Sequence, residues 1–360
     1  MSSATKTFVP QEPRFKRTAI SLAIVAISLL FTATCLAQSS DYGDALALFR
    51  KRDWANAATM FQEVEKKQPA QTDALLYRGK CLVNLAQFNE AANVLQAYLA
   101  SHPQSDDAAY LLAYVRFRQE KPSDSLALFT AAAKLKTPTA DDLKIVAFDY
   151  VLLNDYADAA HYLEEALKMD PENIEARYHL GRVRYQQNQF NQAIAAFEEV
   201  LKRDPRNVKA QANLGLCFEG LNQMEPAVAA YRKAIDWDKS SLVHNEQPYL
   251  DLGILLGKSN RSEEAIPLLV RASEIDPKSG QIRYELGKAY FDVGRLQDAQ
   301  AATLEAVRLN PKDATAHYLL GRIYHRIGKT DLSAQEFKLT ETLQQTDAGG
   351  NGLSSGVKHN

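Results

Sequence analysis

The sequence predicts an all-α solenoid of antiparallel helix pairs, and three observations lead to that prediction. From Gln38 onward the chain repeats itself every 34 residues, apart from one four-residue slip. Two positions of the repeat, the eighth and the twentieth, carry only Gly, Ala or Ser in all nine copies. The thirty-second position is proline in six of the nine copies. A constant period of this length is typical of stacked helical repeats.

The repeats divide the chain into four segments after its first 37 residues. Residues 38–241 hold repeats one to six, and residues 246–347 hold repeats seven to nine. The insertion Leu-Val-His-Asn at 242–245 breaks the period, and we expect either a longer loop between repeats or an extended helix there. Residues 348–360 are rich in Gly and Ser with few apolar groups, which predicts a disordered tail. The repeats start at residues 38, 72, 106, 140, 174, 208, 246, 280 and 314.

Each repeat is predicted to form two helices, and its positions are numbered here as columns 1 to 34. Columns 4, 7, 8 and 11 fall on one face of the first helix at helical spacing. Column 8 is small because the second helix crosses there, and column 20 is the matching small residue. Column 24 is mostly large and apolar and fills the space between helices. The column 32 proline ends the second helix before the next repeat begins.

The first 37 residues have the pattern of a signal peptide. Arg14, Lys16 and Arg17 precede an uncharged run from Thr18 to Ala37. Small residues at Cys35 and Ala37 fit a signal-peptidase cut before Gln38. We therefore expect the body of the protein to be exported, as a periplasmic or secreted protein.

Two other interpretations of this segment stay open. The run from 18 to 37 is about long enough to span a bilayer, so it could remain as an uncleaved anchor with the body outside the cytoplasm. A lipoprotein would use Cys35 as the acylated residue, but Thr32 and Thr34 stand where that signal requires a leucine-like residue and a small Gly or Ala.

Three copies of one motif carry a family resemblance. They read YHLGRVRY at 178–185, YELGKAYF at 284–291 and YLLGRIYH at 318–325. Together with the small columns and the prolines, this pattern resembles the tetratricopeptide repeat family over residues 38 to about 347. The resemblance implies a right-handed superhelix whose inner groove, lined by columns 2, 5, 9 and 12 of the first helices, binds peptides.

The three motif copies also supply a candidate peptide-binding groove. Tyrosine stands in column 5, a base in column 9, and a ring in column 12. A base four residues after a tyrosine shares its helix face and can lie over the ring. Rings in columns 5 and 12 are frequent in this family, so the bases are the more distinctive part. The candidate residues are Tyr178, Arg182, Tyr185, Tyr284, Lys288, Phe291, Tyr318, Arg322 and His325.

No arrangement of residues in the sequence indicates catalysis, a metal site or a cofactor. The seven histidines include no HExxH pair, and each leucine-glycine pair stands alone inside a predicted helix rather than in a phosphate loop. The formal net charge of −2 lacks the basic excess that nucleic-acid binding requires. The repeats occupy the chain from residue 38 to 347, so we expect no catalytic domain beside them.

The sequence therefore predicts a non-catalytic exported scaffold that binds a protein or peptide partner in its groove. One alternative is an accessory subunit in envelope assembly, secretion or pilus biogenesis. Another is a subunit that recruits substrate for a separate enzyme. Self-association stays open for all three, because end repeats and an unfilled groove can both dock a second copy.

Overall fold

The computed structural model describes residues 41–352, with side chains up to residue 346, and it consists of α-helices joined by short turns and loops in that range. Eighteen helices follow one another in nine pairs, which confirms the predicted all-α array of helix pairs. The chain divides into two compact units, one up to Tyr162 and one from Leu163. Residues 1–37, with the predicted signal peptide, lie outside the described range.

The first unit contains seven complete helices and the first half of an eighth. Each odd-numbered helix is the first helix of a repeat, and the even-numbered helix after it is the second. The helices are α1 (41–50), α2 (Trp54–Lys67), α3 (Asp73–Asn84), α4 (Phe88–Ser101), α5 (Asp106–Arg118), α6 (Pro122–Ala133), α7 (Ala140–Leu152) and α8 (Tyr156–Met169), in which the boundary lies.

The second unit contains the rest of α8 and ten further helices. They alternate in the same way, and the last one extends beyond the usual length of a second helix. They are α9 (Ile174–Gln186), α10 (Phe190–Arg203), α11 (Val208–Gly220), α12 (Met224–Asp238), α13 (Gln247–Lys258), α14 (Ser262–Ile275), α15 (Gly280–Asp292), α16 (Leu296–Leu309), α17 (Ala314–Arg326) and α18 (Thr330–Gly352).

The two helices of a repeat meet where column 8 faces column 24. A Cβ placed on Gly181 would lie 2.7 Å from the Phe197 ring, and one on Gly253 would lie 2.7 Å from the Leu269 side chain. These distances are too short for any real contact, so the small column is required by the crossing, as predicted. Except for the partly buried Phe337 of the last repeat, the column 24 side chains are correspondingly buried, for example Phe197 at 0% exposure.

A left-handed residue turns the chain between the two helices of every repeat, always in column 15. Its φ is close to +60° where it is not glycine, and close to +80° in the two glycines. Asparagine and glycine tolerate this conformation, whereas other residues pay a steric penalty. The nine residues are Arg52, Ala86, Glu120, Asn154, Asn188, Asn222, Asn260, Gly294 and Gly328.

The junction between repeats also follows a common plan. A typical second helix ends in column 30, two residues before the column 32 proline, as in α10 at Arg203 before Pro205. Proline restricts the residue before it to extended conformations, which stops the helix. Column 34 then caps the next first helix: the Asn207 side chain accepts a hydrogen bond from the backbone N–H of Ala210 at 2.8 Å. Such caps stabilise a helix by about 1 kcal/mol.

The insertion lies in a loop between α12 and α13, residues 239–246. The carboxyl group of Asp238, which is completely buried, holds this loop in place. It accepts a hydrogen bond from the Asn245 backbone at 2.7 Å and one from the Tyr249 hydroxyl at 3.2 Å. At the C-terminus, residues 348–352 of the predicted tail belong to α18, and residues 353–360 lie outside the described range.

One buried carboxyl group in the first unit has no hydrogen-bond partner. Asp149 occupies column 10, a position that is apolar in most other repeats, and it is completely buried. The nearby Ser125 hydroxyl donates to the Ala113 carbonyl instead, and both Asp149 oxygens are unpaired within the described residues. Burial raises the pKa of this carboxyl from 3.8 to about 7.

Two glycine substitutions in the second unit are predicted to change stability in opposite directions, because Gly181 lies at a helix crossing and Gly257 does not. In Gly181→Ala the new methyl group must displace the Phe197 ring, so we expect the free energy of unfolding to fall by about 1–2 kcal/mol. Gly257 in α13 has no atom within 4 Å of such a methyl. Gly257→Ala should therefore raise the free energy of unfolding by about 0.5–1 kcal/mol, because alanine has the higher helix propensity. Unfolding in guanidinium chloride measures both changes in free energy. A Gly181→Ala variant that is as stable as the wild type would contradict the packing described.

Neutralising the buried Asp149 by substitution is predicted to raise the stability of the fold in a pH-dependent way. The pKa of this carboxyl is higher in the folded state than in the unfolded state. The folded protein therefore has its full stability below about pH 4 and loses stability as the pH rises to about 7. The free energy of unfolding of Asp149→Asn should therefore exceed that of the wild type by about 2–4 kcal/mol at about pH 8, and the difference should be gone at about pH 4.

The matched control for that prediction is Asp158→Asn, since Asp158 is exposed in the first turn of α8. This variant should show no gain in stability over the wild type at either pH value, because an ionised acid in the first turn of a helix is mildly stabilising. An equal gain from Asp149→Asn at the two pH values would show that burial of the charge is not the cause.

Candidate functional site

The structure brings two of the predicted site residues together at one cavity in the second unit. The cavity has a volume of about 380 Å³ and lies between α9, α11 and the start of α13. We refer to it as the α9–α11 cavity. Its lining residues are Tyr178, Arg182, Lys209, Ala212, Asn213, Leu216, Asn245, Glu246 and Gln247.

Tyr178 forms a fixed wall of the α9–α11 cavity. Its ring packs at 5.7 Å from the ring of Phe197, and its hydroxyl accepts a hydrogen bond from the Asn213 side chain at 3.2 Å. Burial raises the pKa of the Tyr178 hydroxyl above its usual range, although the charge of Arg182 acts in the opposite direction. The hydroxyl is therefore neutral, and it orients the Asn213 amide.

Two bases from neighbouring repeats line the cavity without an acidic partner. Arg182 is exposed in column 9 of one repeat, and Lys209 is exposed in column 2 of the next. Neither forms an ion pair with any residue that the structure describes. Glu246 is the one acid among the lining residues, so the cavity carries two bases against one carboxylate.

The same two columns form an ion pair in the first unit. There the column 9 base is Lys80, and the column 2 residue of the next repeat is Asp107. Their charged groups lie 2.6 Å apart, which closes that position to an outside anion. The comparison shows that column 9 reaches column 2 of the following repeat. In the second unit the column 2 residue is a base instead of an acid. The two side chains therefore form no ion pair, and the position stays open to an outside anion.

The far side of the cavity is built by the 239–246 loop and the first residue of α13. Gln247 donates its side-chain amide to Asp251 at 2.8 Å, and Asp251 is 7% exposed. Burial raises the pKa of the Asp251 carboxyl from 3.8 to about 7. The backbone N–H of Gln247 donates to the Asn245 side chain at 2.9 Å. These bonds fix both amide side chains at the rim.

The other predicted site residues in α9 and α15 are mainly engaged in packing. Tyr185 makes an edge contact with Phe190, with ring centroids 5.6 Å apart. Tyr284 packs against the core around Phe291, and Phe291 itself is only 6% exposed. The Phe291 ring is buried because the next first helix, α17, lies against it. Lys288 lies 4.0 Å from Glu285 on its own helix.

The predicted residues of the last repeat form an exposed group on α17. Tyr318 is 51% exposed, and Arg322 and His325 are exposed as well. The Arg322 guanidinium lies 4.7 Å from the centre of the Phe291 ring and 6.0 Å from that of Tyr318. The predicted stacking of a base over its own column 5 tyrosine thus occurs here, although the buried Phe291 ring is closer.

Sequence reasoning missed Lys209, Asn213, Asn245 and Gln247 as members of the site. Lys209 could have been found by pairing column 9 of each repeat with column 2 of the next, because Lys80 and Asp107 are complementary in those columns. The position of Asn245 depends on the hydrogen bonds of Asp238, which the sequence alone does not reveal.

Residues 41–352 contain neither a cluster of metal-ligating side chains nor a membrane-spanning helix. No group of three or more His, Cys, Asp or Glu side chains in that range could hold a metal ion. Nor does any helix in the range combine the length and apolar character needed to cross a bilayer. Cys81 and Cys217 are buried free thiols, and burial raises their pKa values to about 11 and about 12.

The chain matches two family models, both described as tetratricopeptide repeat. One matches residues 180–241, 250–299 and 284–348. The other matches residues 36–115 and 150–196, so the two together cover most of the repeats predicted from the sequence. None of the curated proteins compared with the chain matches it.

Solved structures with a similar fold include a tetratricopeptide repeat protein from Parabacteroides merdae. It is 14% identical with a TM-score of 0.55, covering 70% of this chain and 98% of that one. YrrB, a tetratricopeptide repeat protein with an unusual peptide-binding site, is 19% identical with a TM-score of 0.43, covering 52% and 94%. MamA from Desulfovibrio magneticus RS-1 is 18% identical with a TM-score of 0.44, covering 49% and 97%.

Proposed function

The chain belongs to the tetratricopeptide repeat family and is a scaffold for protein–protein interaction, and we propose that it holds an acidic segment of a partner protein in the α9–α11 cavity. We further propose that it does so outside the cytoplasm and without catalysing a reaction. The observation that carries the binding proposal is that two basic side chains, Arg182 and Lys209, line the cavity without ion-pair partners.

An acidic side chain is the ligand group that this pair favours. Two cations held near one another repel, and an anion placed between them is attracted by both. Guanidinium groups bind carboxylates through two parallel hydrogen bonds, which adds geometric specificity. A ligand without negative charge would leave the repulsion in place.

The neutral lining supports an extended peptide rather than an isolated ion. Asn213, Asn245 and Gln247 carry amide groups that can bond to a peptide backbone, which presents both donors and acceptors. Ala212 and Leu216 supply apolar surface between them. Basic and apolar surfaces within one cavity suit a protein segment that carries acidic and apolar side chains.

Export is supported by the first 37 residues. The bases at 14, 16 and 17, the uncharged run 18–37 and the small residues before Gln38 together form the pattern of a cleaved signal. The partner is then a protein of the envelope or the exterior, or the exposed part of a membrane protein.

Charge reversal of the two bases tests the binding proposal. A fluorescein-labelled Gly-Ser peptide with a central pair of glutamates should bind the wild type, and binding should weaken as salt is added. Arg182→Glu with Lys209→Glu should weaken that binding by at least about tenfold in fluorescence anisotropy, because attraction becomes repulsion.

The control variant carries the same change in net charge away from the cavity. Lys66→Glu with Lys168→Glu alters two exposed second-helix bases, and it should bind the peptide as the wild type does. Equal losses in the two variants would assign the effect to net charge. No loss in the Arg182 and Lys209 variant would overturn the cavity as the binding site.

Fractionation with N-terminal sequencing tests export. We expect the protein in the periplasm or medium, beginning at Gln38. Membrane-bound protein that retains residues 18–37 would identify an anchor with the body outside, and intact protein in the cytoplasm would exclude export.

A further inference from the structure

Two apolar side chains at the tip of the 239–246 loop are exposed to solvent. Leu242 is 102% exposed and Val243 is 82% exposed, whereas Met169, the next most exposed large apolar residue between 41 and 346, reaches 54%. Two adjacent apolar groups in full contact with water offer surface that a bound molecule can bury, which is favourable.

The loop presents these side chains from a fixed position. Asp238 at its start is completely buried and accepts hydrogen bonds from the Asn245 backbone and the Tyr249 hydroxyl. His244 Nδ1 lies 3.1 Å from the same carboxylate. The Ser241 hydroxyl donates to the Val243 carbonyl at 2.7 Å. Both ends of the loop are therefore tied to one buried carboxyl group.

The loop tip adjoins the α9–α11 cavity. Asn245, Glu246 and Gln247 line that cavity, and Val243 is two residues before Asn245. Consecutive Cα atoms are 3.8 Å apart, so the Cα of Leu242 lies no more than about 11 Å from that of Asn245. A peptide of a few extended residues can span this distance.

We propose that Leu242 and Val243 bind a large apolar side chain of the same partner segment whose acidic group occupies the α9–α11 cavity. The partner motif is then an acid with an apolar residue a few positions away. This proposal rests on the proposed function and adds a second contact to it. Charge complementarity selects the partner, because the unpaired Arg182 and Lys209 require an anion, which neither an apolar tail nor a bare apolar surface would supply.

Two sets of variants and three peptides test the inference. The peptides are the labelled Gly-Ser peptide with its glutamate pair, and the same peptide with a leucine three residues before or three residues after the pair. The variants of the full chain are Leu242→Ser with Val243→Ser, and Arg182→Glu with Lys209→Glu. The control is Leu152→Ser with Leu153→Ser, which changes two residues that are each 44% exposed in the first unit.

One of the leucine peptides should bind the wild type about tenfold more tightly than the acid-only peptide, since a leucine side chain becomes buried. The Leu242 and Val243 variant should lose that gain and keep the wild-type affinity for the acid-only peptide, which also shows that it is folded. The Leu152 and Leu153 control should keep the gain.

Failure of the inference and failure of the proposed function give different results. If leucine adds nothing, or if its gain survives in the Leu242 and Val243 variant, the inference is wrong, while acid-only binding that depends on Arg182 and Lys209 still supports the function. If the wild type does not bind the acid-only peptide, both are wrong.

Two further measurements examine other occupants of the loop tip. A dimer in sedimentation velocity that the Leu242 and Val243 substitutions dissociate would show that a second copy covers the tip. Loop-dependent flotation with phosphatidylglycerol vesicles would show that a membrane covers it. Either result would overturn the proposal.

Discussion

The helix pairs depend on one close contact, in which a residue with little or no side chain on the first helix lies against the column 24 residue of the second. In the YHLGRVRY repeat this contact joins Gly181 and Phe197. It sets the separation of the two helices and fixes the rotation of the first helix about its axis. Successive residues of a helix project about 100° apart. The packed glycine therefore directs Arg182 away from Phe197 and toward the next repeat, so that the residue required by packing also orients the proposed binding residue.

Much of the fold could be predicted because packing constraints recur in the same columns. Small residues and prolines repeat often enough to identify both helices of each repeat. The column 15 turn is harder to recognise, since Arg52, Ala86 and Glu120 adopt the left-handed conformation that asparagine and glycine favour elsewhere. For the site, the sequence indicates Tyr178 and Arg182 but not Lys209, because the relevant pairing crosses from one repeat to the next. The letters Leu-Val-His-Asn are equally compatible with helix or loop until the hydrogen bonds of Asp238 are known.

Comparison of the two units shows how a repeat scaffold can change its specificity without changing its fold. Lys80 with Asp107, and Arg182 with Lys209, occupy the same pair of columns and differ in the sign of one charge. The first combination is closed on itself, and the second is open to an external anion. Both column 2 residues lie on the surface of their helix, so the difference imposes little on the core. The binding proposed for this chain therefore depends on which residues adjacent repeats place in columns 9 and 2.

The left-handed column also makes the repeats unequal. The three residues that adopt this conformation against their preference, Arg52, Ala86 and Glu120, are those of the first three repeats, and each such residue costs on the order of 1 kcal/mol. Repeats four to nine place asparagine or glycine there. In an array stabilised by nearest neighbours, such local differences decide where opening begins. From this difference alone we expect the amino-terminal repeats to open before repeats four to nine.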